Sequence, residues 1–298
     1  MKYNFLGKSD VRISTVGFGC MSLGRDDTEN AKLITGAIDA GINYFDTADL
    51  YQQGDNEITL GKAIKPYRSK VVIATKVGNQ LKPDGKGWIW NPSKEYILSG
   101  ADKSLERLGT DYIDLYQLHG GTINDPIDET IEAFEMLVAA GKIRYYGISS
   151  IRPEVIREYV ALSRINSVMM QYSLLDRRPE EACLSLLHDH KISVLARGSL
   201  AGGLLAGKYA RPYLNYSEDV VHKVYLAVQS ISGPERSMAQ TAMRFVLQQP
   251  GITSAVVGIR TQEQLQDAIG AADAPALTES EIQFLKNSLP VNYYEQYR

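Results

Sequence analysis

Two patterns of apolar residues alternate along the chain. Short runs of consecutive apolar residues are typical of buried β-strands, and longer stretches with apolar residues three or four positions apart are typical of amphipathic helices. Together they recur as a unit of about 30 residues. The predicted strands are 15–19, 43–46, 71–75, 112–117, 145–148, 167–170, 193–196 and 255–257. The predicted helices are 28–40, 56–65, 93–108, 126–140, 153–162, 179–190, 234–248 and 261–271.

This strict alternation predicts an α/β fold with parallel strands joined by helical crossovers. Eight such units favour a closed (β/α)8 barrel, a TIM barrel, over an open sheet. No linker or low-complexity stretch divides the chain. We therefore expect one barrel domain over residues 1–298.

Both ends of the chain carry additions to the repeat. Residues 3–6 and 11–14 predict a short β-hairpin before the first barrel strand. The segment 278–298 predicts one extra C-terminal helix and an aromatic end, with tyrosines at positions 293, 294 and 297.

Two connections are long, and long loops in compact domains are usually functional. They cover residues 77–92 and 198–233, and the second contains a predicted helix at 218–229. Residues 202–208 read GxxxxGK, close to a phosphate-binding P-loop, but Tyr209 follows where that motif has Ser or Thr. A magnesium ion would lack its hydroxyl ligand there, so we interpret the segment as a glycine-rich loop of another kind.

Composition narrows the class of protein. A formal net charge of −3 predicts no strong attraction to nucleic acid or anionic membranes. The N-terminus lacks the apolar core of a signal peptide, and no apolar run approaches the roughly 18 residues of a membrane span. Cys20 and Cys183 form no CxxC pair, and His188 and His190 have no ligand pattern around them. We expect a cytoplasmic protein without a metal site, and its oligomeric state is open.

Four chemically active side chains fall at neighbouring strand ends. Asp46 ends the second predicted strand, Lys76 follows the third and His119 follows the fourth, while Tyr51 lies five residues after Asp46. In a (β/α)8 barrel the active site lies at the C-terminal ends of the strands. We therefore expect these four groups to converge at the mouth of the barrel.

The chemistry of this set is that of proton donation to a carbonyl group. A tyrosine is a poor acid at neutral pH, but a lysine ammonium about 4 Å away favours the phenolate by roughly 4 kcal/mol at an effective dielectric near 20. Asp46 keeps a buried Lys76 charged, and His119 can hydrogen-bond a substrate oxygen. Together the four residues can polarise a carbonyl group and protonate it.

The chain resembles the aldo-keto reductase family over almost its whole length. The stretches that carry the resemblance are GINYFDTADLY at 41–51, IATK at 73–76, DYIDLYQLH at 111–119 and GKIRYYGIS at 141–149. They contain the family's catalytic tetrad in order. The resemblance implies that Tyr51 is the general acid, assisted by Lys76 and His119, with Asp46 beside the lysine. It also implies a small carbonyl substrate, bound by Tyr51 and His119. Trp88, in the long third loop, either lines the substrate pocket or anchors that loop over the barrel.

The resemblance implies a nicotinamide cofactor, NADPH rather than NADH. Arg260 would pair with the adenosine 2′-phosphate, because 257–264 resembles the family's phosphate site and the N-terminus of a helix favours an anion. The implied cofactor contacts are Gly19, Asp46, Ser149, Ser150, Met169, Arg197, Gly198, Leu200, Gly202, Gly207, Lys208, Gly258, Arg260 and Gln264.

Four of the cofactor positions depart from the family's pattern. Ser150 stands where the family has asparagine, Met169 where glutamine is usual, and Ala268 where asparagine is frequent. Arg197 stands where many members stack an aromatic ring on the nicotinamide. A planar guanidinium can also stack on a ring, but its charge would favour reduced cofactor over oxidised.

Two other functions remain open at this stage. Potassium-channel β subunits share the barrel, so the chain could be a cofactor-binding regulatory subunit with little turnover. A barrel aldolase using Lys76 as a Schiff-base nucleophile is the other alternative, although Asp46 held against the lysine opposes it.

Overall fold

The computed structural model describes residues 1–296, so the predicted Tyr297 lies outside the described chain. The described strands are β1 (Tyr3–Phe5), β2 (Arg12–Ser14), β3 (Val16–Gly19), β4 (Tyr44–Asp46), β5 (Val72–Val77), β6 (Asn79–Leu81), β7 (Trp88–Trp90), β8 (Ile113–Leu118), β9 (Ile143–Ser149), β10 (Ser167–Gln171), β11 (Ser193–Arg197) and β12 (Ile252–Gly258). The helices are α1 (Asp27–Asp39), α2 (Asp55–Ile64), α3 (Lys94–Leu108), α4 (Ile127–Ala139), α5 (Pro153–Leu162), α6 (Cys183–Asp189), α7 (Glu218–Ser230), α8 (Met238–Leu247), α9 (Gln262–Asp273) and α10 (Glu279–Asn287).

Eight parallel strands close into a barrel, in the order β3, β4, β5, β8, β9, β10, β11, β12 and back to β3. The predicted (β/α)8 fold is therefore confirmed, with the antiparallel hairpin β1–β2 in front of it and α10 behind it. All eight barrel strands overlap the stretches predicted from apolar runs.

The alternation of side chains along β5 shows how the barrel positions its reactive groups. Val72 and Ala74 belong to the apolar cluster inside the barrel, whereas Ile73 and Val77 belong to the larger cluster between the strands and the helices. Because side chains in a strand alternate between two faces, Lys76 points to the same side as Ala74. A lysine at this position is therefore forced into the barrel interior, at its C-terminal end.

The N-terminal hairpin closes the opposite end of the barrel. Leu6, Val11 and Ile13 are buried and pack in the interior cluster with residues of the barrel strands, such as Leu115 and Leu195. The interior is thus filled by side chains at its lower end, and open space is left only towards the C-terminal ends of the strands.

Two helices begin later than their patterns predict. Before α6, a tight 3-10 turn covers Arg178–Glu181, and Ala182 leaves the helical conformation. Helix α8 begins at Met238 because Ser237 and Gln240 form a reciprocal capping box. Pro179 and Pro234 lie upstream of the two observed starts, and because proline is common in the first turn of a helix, they place both predicted starts too early.

Both long loops contain structure of their own. Residues 77–92 include the antiparallel hairpin β6–β7, which stands beside the barrel mouth. The second loop contains the 3-10 segment Ala201–Ala206 and then α7, which the sequence predicts within two residues. No helix begins at Lys208, so a P-loop is excluded by the structure as well.

Candidate active site

The barrel brings the four predicted catalytic residues together at its mouth. Asp46 is the last residue of β4, Lys76 lies near the end of β5, and His119 directly follows β8. Tyr51 begins a 3-10 turn after β4, and its ring lies 5.1 Å from the Lys76 amine, measured to the ring centroid. The Tyr51 and His119 rings meet edge to face with centroids 5.9 Å apart.

Asp46 and Lys76 form a buried ion pair with an Nζ to Oδ1 distance of 2.5 Å. The ammonium also donates to the Thr47 carbonyl at 2.7 Å, and Gln117 donates to the other Asp46 oxygen at 3.3 Å. Burial alone would lower the pKa of Lys76, but Asp46 and Tyr51 outweigh it and raise that pKa. Lys76 therefore carries a positive charge at neutral pH, directly beneath the Tyr51 ring.

His119 is neutral at the same pH. Burial, with the Lys76 and Arg197 charges, lowers the pKa of His119 to about 3. Its backbone is fixed, because its N–H donates to the Val77 carbonyl at 2.7 Å and its own carbonyl accepts from Asn79 at 3.0 Å. The Nδ1 atom is buried and has no hydrogen-bond partner in residues 1–296. The ring is thus held rigidly as an uncharged group.

A cavity of about 1710 Å³ opens above these residues. Drug-sized ligands occupy roughly 300–1,000 Å³, so this space is large enough for a dinucleotide beside a small substrate. Besides the tetrad, its described walls include these predicted residues: Gly19, Trp88, Ser149, Ser150, Met169, Arg197, Gly198, Leu200, Gly202, Lys208, Gly258, Arg260 and Gln264. Among residues 1–296, Gly207 does not line the cavity, although its neighbours Ala206 and Lys208 do.

Comparison with known proteins decides the family. The model of the Aldo/keto reductase family matches residues 15–289. The chain belongs to this family. It is 49% identical to "Uncharacterized oxidoreductase YqkF" of Bacillus subtilis, with both chains covered completely. It is 33% identical to "Aldo-keto reductase YhdN" of the same organism, over 89% of this chain and 87% of that one.

A solved structure shares both fold and sequence. The holo form of "aldo-keto reductase AKR11C1 from Bacillus halodurans" matches with a TM-score of 0.93 and 47% identity, over 100% of this chain and 99% of that one. Members of the family use nicotinamide cofactors to reduce carbonyl compounds, so the chain is an NAD(P)H-dependent aldo-keto reductase.

The cavity wall at the ends of β10 and β11 contains a polar network that the sequence did not predict. Arg197 donates to the Gln171 side-chain oxygen at 3.0 Å, and the Gln171 amide donates to Asp176 at 2.9 Å and to the Tyr213 hydroxyl at 3.1 Å. Asp176 is fully buried and forms a bidentate pair with Arg178. Gln171 ends β10, and a polar residue at a strand's C-terminal end is the signal that could have identified it.

The cavity end beside α9 is more open. Arg260 and Gln264 are both exposed, and the Gln264 side chain accepts a hydrogen bond from the Arg260 backbone at 2.8 Å. No carboxylate in residues 1–296 pairs with the Arg260 guanidinium. Thr261 caps α9, whose N-terminal dipole adds a positive potential. This end therefore offers a free cation and a helix terminus to an anion.

The two tryptophans of β7 differ in their surroundings. Trp90 packs over Gly78 and Gly120, and its indole N–H donates to Asp125 at 2.9 Å, which anchors the hairpin. Trp88 is 51% exposed at the edge of the cavity. Both indoles line the cavity, but Trp90 also holds the hairpin in place, whereas Trp88 is more exposed at the edge.

Both cysteines are buried free thiols. Burial, with Asp46 adding to it, raises the pKa of Cys20 far above its usual range. Burial also raises the pKa of Cys183, to about 11. Neither thiol is ionised at neutral pH, although Cys20 directly follows the end of β3.

Residues 1–296 contain no group of three or more His, Cys, Asp or Glu side chains that could hold a metal ion. None of their helices is both long and apolar enough to cross a membrane.

Proposed function

We propose that the protein reduces aldehydes or ketones to alcohols with NADPH, and that Tyr51 is the proton donor. The observation that carries the proposal is the buried Lys76 ammonium beneath the Tyr51 ring, beside a neutral His119. A bound reduced nicotinamide would supply the hydride for the carbonyl carbon. The residues of this chain then have to supply a proton to the carbonyl oxygen and stabilise the charge that develops there.

Tyr51 gives its hydroxyl proton to the substrate oxygen and is left as a phenolate. The Lys76 charge stabilises that phenolate, because the two groups are close and Lys76 is shielded from water. Asp46 fixes the lysine geometry through the 2.5 Å contact. Such proton transfer by a positioned side chain typically contributes about 10²–10⁴ in rate.

His119 acts as a hydrogen-bond donor to the same oxygen. A neutral imidazole carries one N–H, and a proton on Nδ1 would leave a buried donor without an acceptor. Orphaned buried N–H groups are rarer than unsatisfied acceptors, so the proton belongs on Nε2. An uncharged His119 can thus orient the carbonyl group without competing with Tyr51 as the acid.

We assign the cofactor's parts to the cavity walls as follows. Ser149, Ser150 and Met169 would hold the nicotinamide, with the Arg197 guanidinium stacked on it. Gly198, Leu200, Gly202, Gly207 and Lys208 would clasp the pyrophosphate, and Gly19 and Gly258 would line the path between the two ends. Arg260 would bind the 2′-phosphate of NADPH, with Gln264 beside it; NADH offers no group for that cation.

The substrate end is open, with Trp88 at its edge, which suits a range of small carbonyl compounds rather than one closely fitted molecule. The cytoplasmic location and the single domain over residues 1–298 stay predictions. A regulatory subunit with little turnover stays the alternative, because such subunits can retain the tetrad.

A turnover screen with a matched variant tests the proposal. NADPH oxidation is followed against a panel of aldehydes, ketones and quinones, with wild type and Tyr51→Phe side by side. We expect several substrates to be reduced, and Tyr51→Phe to lower kcat by about 10² or more while NADPH still binds. Turnover of Tyr51→Phe near wild type would rule out Tyr51 as the donor. NADPH binding without turnover of any compound would favour the regulatory subunit.

A further inference from the structure

The loop that carries Tyr51 has an unfavourable backbone. In this loop, residues 47–54, Gln52 and Gln53 adopt left-handed conformations with φ of 51° and 58°, directly after Tyr51. Gly54 continues the left-handed run with φ of 99°. Residues with a Cβ atom rarely adopt this region, and such conformations persist only where the surroundings impose them. Contacts on both sides of Tyr51 must therefore hold the loop in shape.

The start of the Tyr51 loop is fixed to the barrel. The Thr47 carbonyl accepts from the Lys76 amine at 2.7 Å, and the Asp49 N–H donates to the Lys76 carbonyl at 3.2 Å. On the outer side, the Gln52 amide donates to the Leu23 carbonyl at 2.9 Å. Within the loop, the Tyr51 N–H donates to the Ala48 carbonyl at 3.1 Å, and a further brace comes from the side of α3.

Asp49 supplies that brace. Its side chain is buried, it is absent from the described walls of the cavity, and one of its oxygens accepts from the Tyr96 hydroxyl on α3 at 3.2 Å. The other oxygen, Oδ1, is buried without a partner in residues 1–296. The Tyr116 hydroxyl of β8 is buried without a partner as well. A carboxyl group retained in such surroundings calls for an explanation beyond packing.

Asp49 forms no ion pair within residues 1–296. Arg107 of α3 is the nearest candidate, but its guanidinium is engaged by Glu57 of α2, with Nε to Oε2 at 2.6 Å. Burial first, and the Glu57 charge second, raise the pKa of Asp49 to about 7, against the opposing effects of the Tyr96 hydrogen bond and Arg107. The group therefore changes charge within the physiological range.

We propose that Asp49 is a positioning residue for Tyr51, which through its hydrogen bond to Tyr96 braces the strained Tyr51 loop against α3. The proposal rests on the role of Tyr51 as proton donor. Asp49 does not touch the substrate space, so its effect reaches the reaction only through the placement of the Tyr51 hydroxyl. Ionised carboxylates accept stronger hydrogen bonds than neutral carboxyls, so the brace is firmer above pH 7 than below it.

Tyr96→Phe tests the brace without removing a charge. We expect kcat to fall by about 10-fold, since small misplacements of a catalytic group can cost up to about 10², while the Kd for NADPH stays the same. Tyr225→Phe is the matched control, because its hydroxyl lies on α7 and makes no hydrogen bond with residues 1–296. A Tyr96→Phe variant with wild-type kcat would overturn the proposal. So would a loss of kcat matched by an equal loss in Tyr225→Phe.

Asp49→Asn tests the charge through turnover and through one readout that does not depend on the cofactor, the urea midpoint. The kcat ratio of wild type to Asp49→Asn should rise several-fold from pH 6 to pH 8, as the wild-type carboxyl ionises. Because folding raises the pKa of Asp49, wild type should lose stability as pH rises through about 7. The urea midpoint of Asp49→Asn should not show that loss. The proposal would be overturned by a kcat ratio that does not change with pH, together with urea midpoints that change with pH in the same way in both proteins.

Tyr51→Phe, run in the same series, separates this proposal from the function itself. Inactivity of Tyr51→Phe with normal kcat in Tyr96→Phe would refute only the positioning role. Full activity of Tyr51→Phe would refute the proton donor and, with it, the reason for bracing the loop.

Discussion

The two ends of the cavity use positive charge in opposite ways. At the catalytic end, Lys76 is 1% exposed and locked to Asp46. At the other end, Arg260 is exposed and pairs with no carboxylate in the described residues. A buried cation needs a permanent partner, because desolvation would otherwise neutralise it. An exposed cation remains charged in water without a partner. Under the proposed function, the buried charge would stabilise the Tyr51 phenolate and the exposed charge would bind the cofactor phosphate.

Lys76→Met, which removes the buried charge, should have the largest effect of the substitutions compared here. The substitution leaves Asp46 buried without its partner, and breaking a buried pair costs about 3–5 kcal/mol of stability. Turnover should collapse as well, since no cation remains to stabilise a Tyr51 phenolate. Urea unfolding at pH 7, with turnover measured beside it, checks both effects.

The double variant Asp46→Asn/Lys76→Met is the control for that experiment. It should recover part of the lost stability, because it leaves no unpaired buried carboxylate, but it should remain inactive. An unchanged urea midpoint in Lys76→Met would mean that the pair contributes little to folding.

Arg260→Ala should affect recognition without affecting folding. A charge-assisted pair with phosphate contributes roughly 1.5–3 kcal/mol, which is about 10- to 150-fold in affinity. The variant should lose NADPH affinity within that range and keep its NADH affinity, because NADH has no 2′-phosphate. Cofactor fluorescence gives both dissociation constants.

Arg157→Ala, an exposed arginine on α5, is the matched control and should bind both cofactors as wild type does. If Arg260→Ala lost affinity equally for both cofactors, Arg260 would support the loop and would not bind the 2′-phosphate. A wild type that binds NADH as tightly as NADPH would refute the NADPH assignment and leave the reductase intact.

The smallest effect concerns His119 and pH. Because the pKa of His119 is lowered to about 3, the ring stays neutral from pH 5 to 8. The kcat/KM profiles of wild type and His119→Gln should therefore have the same shape over that range, although their heights differ. An inflection near pH 6.5 present only in wild type would contradict the neutral ring.

The lowered pKa of His119 also predicts how the stability of the folded protein depends on pH. The pKa of His119 is lower in the folded state than the roughly 6.5 of an exposed histidine. The unfolded chain therefore takes up the proton first as pH falls, and wild type should lose stability below about pH 6.5. His119→Gln should lack this loss, which urea midpoints at pH 5 and pH 7 can establish.

The barrel could be predicted from the sequence because short, largely apolar strands alternate with stretches of helical period. Periodicity did not predict the start of α8 or the hairpin β6–β7, which depend on local interactions. Helix α8 starts at Met238 through the Ser237–Gln240 capping box, a signal present in the sequence but masked by Pro234 upstream. The hairpin β6–β7 was missed because its strands are three residues long and only Asn79 among their residues is buried.

The tetrad could be located because strand ends converge in any closed parallel barrel. The contacts that support these residues could not be predicted from the sequence. Gln171, Asp176 and Tyr213 meet only through the packing of three separate segments, and their bonds depend on side-chain directions that no spacing encodes. The same holds for Asp49 and Tyr96, which are 47 positions apart. Sequence thus located the reacting groups, and only coordinates reveal what holds them.

The burial of both cysteines has a consequence for the enzyme's lifetime in use. Reactive aldehydes and enones alkylate thiolates, and they do so slowly with a protonated, inaccessible thiol. Cys20 and Cys183 are the chain's only cysteines, both are buried, and the pKa of each is raised. Modification of these two thiols by reactive carbonyl compounds should therefore be slow, which removes one route by which such compounds inactivate enzymes.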